Sequence, residues 1–134
     1  MAFLRGALVL LMAASVSLRD CGNPSTDQAQ ITGMGFYPPN PVAGQETELW
    51  VAYDLKSNLT SGKATYSASL NGIPIPPTTE DLCTQTSCTK DIGVYNETSK
   101  STFPSGLSGK IVSKIQWTNQ DSQPVWCLET TFRI

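Results

Sequence analysis

Residues 47–55 read TELWVAYDL. In an extended chain Leu49, Val51, Tyr53 and Leu55 share one side, and Glu48, Trp50, Ala52 and Asp54 share the other. This period of two marks a half-buried strand, because successive side chains of extended backbone point to opposite faces. The same logic recurs downstream. Ala64, Tyr66, Ala68 and Leu70 alternate with Thr65, Ser67 and Ser69, and Ile111, Ser113, Ile115 and Trp117 alternate with Lys110, Val112, Lys114 and Gln116. In the final stretch, Val125 to Ile134, one face carries Leu128, Thr130, Phe132 and Ile134, with Cys127 and Arg133 opposite. Upstream, Ile31 to Tyr37 is a shorter candidate strand, ended by Pro38-Pro39-Asn40-Pro41 because proline cannot donate to a sheet ladder.

The intervening segments are punctuated by turn residues. Ser57 to Gly62 reads as a turn, and Asn71-Gly72 turns the chain before Ile73-Pro74-Ile75-Pro76. Thr78 to Ser105 reads as loop-rich and polar, with brief extended pieces around Val94-Tyr95 and Thr102-Phe103, and Leu18 to Gln30 as a polar N-terminal segment. No helical period is sustained beyond the apolar run near the start. Short alternating strands separated by Gly, Pro and Asn predict an all-β fold, an antiparallel β-sandwich forming one domain over residues 18–134.

Met1 to Arg5 form a short basic start, Gly6 to Val16 an apolar run, and Ser15 and Ser17 supply small residues where a signal peptidase reads. The expectation is a secretory signal peptide over residues 1–17, since the apolar run falls well short of the roughly 20 residues that span a bilayer. The chain carries nine basic and eleven acidic side chains; loss of Arg5 would leave eight against eleven, a net charge of -3. That balance argues against a nucleic-acid partner and against strong adhesion to anionic membranes.

The four cysteines are Cys21, Cys83, Cys88 and Cys127. An even count in a secreted chain reads as two disulfides with three possible pairings. Spacing favours Cys83–Cys88 as a local staple and Cys21–Cys127 as a long clasp, the latter worth about 4–5 kcal/mol by restricting the unfolded chain. A zinc site would need all four thiolates, because there is no histidine, and the usual paired knuckles are missing. No metal or other cofactor is therefore expected.

The absence of histidine also removes the Ser-His-Asp and Cys-His nucleophile pairs. Gly106-Leu107-Ser108-Gly109-Lys110 has too few residues between its glycines for a phosphate loop, and Ile111 stands where Ser or Thr would hold the metal. Gly33-Met34-Gly35 lacks the third glycine of a dinucleotide site. Glu80 and Asp81 are adjacent, so in extended chain they point apart; they read as loop charges or as an anchor for backbone amides. No catalytic residue is expected. Asn58-Leu59-Thr60 and Asn96-Glu97-Thr98 satisfy the N-glycosylation rule, and both fall in predicted turns. The remaining apolar residues suit either a closed core or two sheets splayed around a ligand; periodicity does not separate these.

Taken together, the residues resemble the ML lipid-recognition family, which includes the Niemann–Pick type C sterol carrier, group-two mite allergens and phosphatidylglycerol/phosphatidylinositol transfer-like proteins. The resemblance is carried by Asp20-Cys21-Gly22, by Phe36-Tyr37-Pro38-Pro39-Asn40-Pro41 with Gly44, by Gly72-Ile73-Pro74-Ile75-Pro76 leading into Asp81-Leu82-Cys83 and Cys88, by Phe103-Pro104, and by Cys127 seven residues from Ile134. It implies an immunoglobulin-like sandwich of two sheets with a lipid cavity between them, no enzyme activity, and the pairings Cys21–Cys127 and Cys83–Cys88. A further cysteine pair of the sterol carrier and the allergens is absent, Thr89 stands where members often have proline, and Pro77 stands where the sterol carrier has an aromatic lining residue. These departures bring the phospholipid-transfer branch closer.

The resulting expectation is a secreted or lumenal (lysosomal or vacuolar) monomer that binds a sterol or phospholipid and carries it between membranes or to a receptor, touching membranes transiently. Ile73, Ile75 and Phe103 are expected at the pocket mouth, and Val51, Tyr66, Ile115, Trp117 and Leu128 in its interior. Lys100, Lys110 or Lys114 could contact an anionic headgroup, though solvated surface charge is the plainer reading. The competing expectation is a secreted protein-binding module with a closed core and an exposed aromatic patch around Trp50 or Trp126.

Overall fold

The computed structural model describes residues 16–106 and 108–134. The bulk of the expected leader therefore lies outside the described residues. Eight strands and one helical turn follow in order: β1 (Val16–Asp20), β2 (Ala29–Tyr37), β3 (Glu46–Leu55), β4 (Gly62–Leu70), β5 (Ile73–Asp81), α1 (Leu82–Gln85), β6 (Gly93–Thr102), β7 (Lys110–Asn119) and β8 (Pro124–Arg133). They form two antiparallel sheets, one of five strands in the order β1-β8-β7-β4-β5 and one of three in the order β2-β3-β6. The expected all-β sandwich is what the chain forms.

The alternation read from the sequence sets the inner faces. On β3, Val51, Tyr53 and Leu55 are buried, and on β7, Ile111 and Trp117 are buried. The packed core lies toward one end of the sandwich. There Leu55, Leu59, Leu82, Val125 and Leu128 are fully buried around Tyr53 and the Trp117–Trp126 pair, whose ring centroids are 4.5 Å apart. The Tyr53 ring meets Trp117 edge-on at 5.9 Å, a geometry that adds attraction beyond area burial.

Three strands differ from the sequence expectation. Val16 to Asp20 pairs with Phe132 to Leu128 as an edge strand, where a leader end and a polar tether were expected. Val16 and Ser17 belong to it, on the leader side of the expected cleavage. Ile73 to Asp81 is a nine-residue strand despite three prolines. It is an edge strand, which needs ladder donors on one side alone, and Pro76-Pro77 fall at the register shift between Tyr66 and Ala68. All nine residues are exposed, because the five-stranded sheet overhangs the narrower three-stranded one. Finally, Gly93 to Thr102 is a full strand paired along its length with β3, where only brief extended pieces around Val94-Tyr95 and Thr102-Phe103 were expected in a polar loop. Its outer face is solvated and its inner face carries Glu97, Ser99 and Ser101, so no apolar alternation announces it.

The turn at Asn71-Gly72 has positive φ at both residues, 51° and 82°, as a two-residue hairpin between right-twisted strands requires. Both disulfides form as the spacing favours, Cys21–Cys127 and Cys83–Cys88. The first ties β1 to β8, beside a hydrogen bond from the Cys21 N–H to the Cys127 carbonyl at 3.0 Å. The second ties Cys83 within α1 to Cys88 just beyond it. Asp81 caps that turn, its carboxylate accepting from the Cys83 N–H at 2.9 Å, which realises the backbone-anchor reading of the acidic pair.

Candidate functional site: the cleft between the sheets

The sheets come closest along β2, β8 and β1, and β6 stands away from β4 and β5 across the layers. The inward residues on the parted side are small and polar: Ser99 and Ser101 on β6 and Ser113 on β7. Side chains of that size cannot fill the gap. Two adjoining chambers result.

The first holds about 520 Å³ of empty space, counting the part open to solvent. Its walls are Val51 from β3, Ile115 and Trp117 from β7, and Trp126 and Leu128 from β8. Tyr66, Gln85 of α1 and Glu97 to Ser99 stand at its polar side. The second, about 580 Å³ when the part open to solvent is again counted, runs toward the Phe36, Phe103 and Phe132 cluster and past Thr130. Phe103 meets Phe132 edge-on at 5.1 Å there. Leu49, Tyr66, Ser99 and Ile115 line both chambers, which therefore adjoin across these side chains.

Of the residues expected to hold a ligand, Val51, Tyr66, Ile115, Trp117 and Leu128 line the first chamber and Phe103 lines the second. The structure does not bring Ile73 and Ile75 to either wall. They stand 70% and 51% exposed on the overhanging strand β5, outside the cleft. Trp126, which the competing protein-binding reading set with Trp50 as a candidate for an outer patch, is 2% exposed and inside. Its parity with Leu128 on β8 carries that signal in the sequence. Trp50 does face outward, its indole lying over Gly33 and Gly35 of β2. Leu49, Phe36 and Phe132 complete the walls through the same parity. Gln85 and Glu97 could not be assigned from sequence, because their positions depend on α1 and on an unannounced strand.

Glu97 is held by a fixed set of donors. The Tyr53 hydroxyl donates to Oε2 at 2.8 Å, the Thr86 hydroxyl to Oε1 at 2.8 Å, and the Lys90 ammonium stands 3.3 Å from Oε2. Lys90 is 5% exposed and lies 4.5 Å from the centre of the Tyr95 ring. Burial, and then the Glu97 carboxylate, push the Tyr53 hydroxyl pKa far above its usual value, so it stays a proton donor. On the same polar side the Tyr66 hydroxyl donates to Gln85 Oε1 at 3.0 Å, and burial followed by the charge on Glu80 raises its pKa as well.

The lysines considered for a headgroup lie elsewhere. Lys114 sits on the outer face of the five-stranded sheet with Glu129 as its cross-strand neighbour, Lys100 is opposite Glu48 on the outer face of β6, and Lys110 is exposed at the start of β7. Asn58 is exposed in a loop, and Asn96 is exposed in the middle of β6, not in the turn expected for it. Among the described residues there is no cluster of three metal-ligating side chains, and no helix is long and apolar enough to cross a membrane.

The cleft can be set beside known proteins. Two Dictyostelium discoideum proteins, named "Putative phosphatidylglycerol/phosphatidylinositol transfer protein" 1 and 3, are 32% and 33% identical to this chain over 76 residues. That stretch is 57% of this chain and 50% of each relative, so the match spans half the length of these curated proteins. Among solved structures, a Niemann-Pick type C2 protein from Japanese carpenter ant superposes with a TM-score of 0.68 at 11% identity, covering 88% of this chain and 98% of the other. Chicken MD-1 complexed with lipid IVa gives 0.56 at 17% identity, covering 87% and 86%. At such identities these likenesses speak for the fold. The family model described as the ML domain matches residues 15–134, nearly the whole chain and all of the cleft, and the chain therefore belongs to the ML domain family.

Proposed function

We propose that this protein binds a lipid in the cleft between its two sheets and carries it between membranes or to a receptor, without catalysing a reaction. The observation that carries this reading is the pair of adjoining chambers between the sheets, walled by Val51, Ile115, Trp117, Leu128 and the Phe36, Phe103 and Phe132 cluster, which the protein's own side chains leave unfilled. Interiors are normally packed to crystal density, and an empty apolar lining forfeits dispersion contacts. A lipid tail restores them. Each methylene withdrawn from water contributes about 0.8 kcal/mol, so one acyl chain could supply most of the affinity.

The family and the names of its members support the same reading: phosphatidylglycerol/phosphatidylinositol transfer for the curated relatives and bound lipid IVa for MD-1. Two disulfides are in keeping with an oxidising compartment, hence with secretion or a lumenal location after removal of a leader. Asn58 and Asn96 are exposed and free to carry glycans there. The protein acts as a monomer that touches membranes transiently. A closed-core binding module is disfavoured by the unfilled cleft and by the burial of Trp126.

The test is to purify the protein from its native source, identify co-purified lipids by mass spectrometry, and measure transfer between donor and acceptor vesicles. Co-purified lipid with transfer above the spontaneous rate is expected. Protein that carries no lipid and moves none from any donor membrane would overturn the proposal.

A further inference from the structure

On the outer face of the three-stranded sheet one aromatic side chain is held flat. Gly35 of β2 lies opposite Trp50, and Gly33 lies opposite Ala52. A Cβ on Gly35 would stand 2.8 Å from the Trp50 Nε1, and one on Gly33 would stand 3.1 Å from the benzenoid edge of the indole. The two missing Cβ atoms let the ring lie against the backbone of β2. Trp50 is half-buried in consequence, with one ring face on the glycines and the other turned outward. The same Cβ position on Gly33 is 3.9 Å from the Ala52 Cβ, so the benzenoid end of the indole reaches the side of Ala52.

The next strand brings a glycan-acceptor asparagine to that platform. Asn96 of β6 is the cross-strand partner of Ala52, and Thr98 is that of Trp50. Asn96-Glu97-Thr98 meets the N-glycosylation rule, and Asn96 and Thr98 are both exposed. Which way they face is fixed from inside. Glu97 between them turns inward, held by Tyr53, Thr86 and Lys90, and the pleat sends its two neighbours to the outer side. Gly33, Ala52 and Asn96 form one row across the three strands, with the small Ala52 methyl between the asparagine and the indole. Directly opposed side chains of a sheet stand about 5 Å apart, so the first sugar of an Asn96 glycan can lie over Ala52 and meet the ring.

The chemistry of the two surfaces matches. A pyranose has hydroxyls around its rim and C–H bonds on its face. The indole face carries the negative side of the ring quadrupole, which attracts those C–H groups, and stacking removes apolar area of both from water while the hydroxyls stay wet. Strand β6 is also the free edge of its sheet, with backbone groups open to another chain, and a bulky glycan in mid-strand obstructs such pairing.

We propose that Asn96 carries an N-linked glycan whose first N-acetylglucosamine stacks on Trp50, covering the outward aromatic and guarding the edge of β6. The inference rests on the secretory part of the reading above and is independent of the lipid.

The experiment expresses the full chain in cultured eukaryotic cells and reads both sequons by glycopeptide mass spectrometry. Acrylamide quenching of tryptophan fluorescence is then compared before and after enzymatic removal of the glycans. Trp117 and Trp126 are 4% and 2% exposed, so the accessible signal belongs to Trp50. An occupied Asn96 is expected. Removing its glycan should increase quenching, and trimming it to a single N-acetylglucosamine should not. Asn96→Gln should lower Tm by about 3–5 °C, the shift for one aromatic contact in a chain of this size, and that loss should vanish in a Trp50→Ala background. Asn58→Gln is the control. Asn58 lies in the loop beyond β3, whose end at Leu55 is already about 16 Å from Trp50, so its loss should leave quenching unchanged. A bare Asn96 overturns the inference; secretion or an occupied Asn58 alongside it leaves the secretory reading standing, and retention in the cell with both sequons bare removes both. Quenching and melting that ignore the Asn96 glycan, or respond equally to the one on Asn58, would also overturn it.

Discussion

Ile115 lies where the two chambers meet, half-buried on β7 between its cross-strand neighbours Tyr66 and Leu128. Replacing it with phenylalanine adds a ring to that junction, and an open cleft and a closed core respond in opposite ways. In a filled interior, overpacking forces side chains off their rotamers at a cost of about 1–3 kcal/mol. In the cleft the ring enters space already lined by Val51, Trp117 and Leu128, so stability of the lipid-free protein should change by less than about 1 kcal/mol. Binding should suffer instead. The larger side chain adds roughly the bulk of one methylene, and excluding that much of a tail at about 0.8 kcal/mol weakens binding about fourfold. Urea denaturation of delipidated protein reads the first quantity, and titration with a fluorescent acyl lipid reads the second. A variant destabilised by the full overpacking cost that still binds lipid as tightly as the parent would refute the cleft.

Tyr53→Phe removes one of the donors on Glu97 and should cost about 1.5–3 kcal/mol in urea denaturation, the range for a hydrogen bond to a charged group. An unchanged midpoint would mean that the carboxylate finds another donor. Replacing both Cys83 and Cys88 by serine opens a loop with a sequence separation of 5, and the chain-entropy model gives a loss of about 2 kcal/mol. Opening Cys21–Cys127, with a separation of 106, should cost about 4.7 kcal/mol, so thermal melts of the two variants should rank in that order. Asp27 is buried with Oδ2 unpartnered; burial raises its pKa, a backbone hydrogen bond at Asn23 opposes that, and Asp20 adds to the rise. The folded chain then holds this proton more tightly than the unfolded one. Its contribution is complete below the unfolded value of about 3.9 and is lost as pH rises through the raised folded value. Asp27→Asn, neutral throughout, should match the parent in acid and melt higher at neutral pH; a gap independent of pH would contradict this.

Much of the molecule is legible in the residues. Leu49, Val51, Tyr53 and Leu55 declare an inner face by parity alone, and the walls of the first chamber follow from the same rule on β4, β7 and β8. Cysteine spacing favoured the pairing that forms. Parity also places Trp126 with Leu128, against the competing reading that offered this tryptophan for an outer patch. The rest depends on what stands across from each strand. Ile73 and Ile75 look like pocket residues because they are apolar and alternate, yet β5 overhangs the smaller sheet and nothing lies opposite to enclose them. Strand β6 was legible only at its ends, around Val94-Tyr95 and Thr102, because between them the inward side chains face the cleft and the outward ones face water.

The sequence by itself determined which side of each apolar strand turns inward, since backbone pleat makes that a local property of alternation. Only the tertiary structure decided that the inward faces stop short of one another. The spacing of two sheets depends on side chains drawn from both at once, here Ser99, Ser101 and Ser113 set among Leu49, Tyr66 and Ile115. Such pairings join residues far apart in the chain. The width of the cleft exists only once those distant strands are laid side by side.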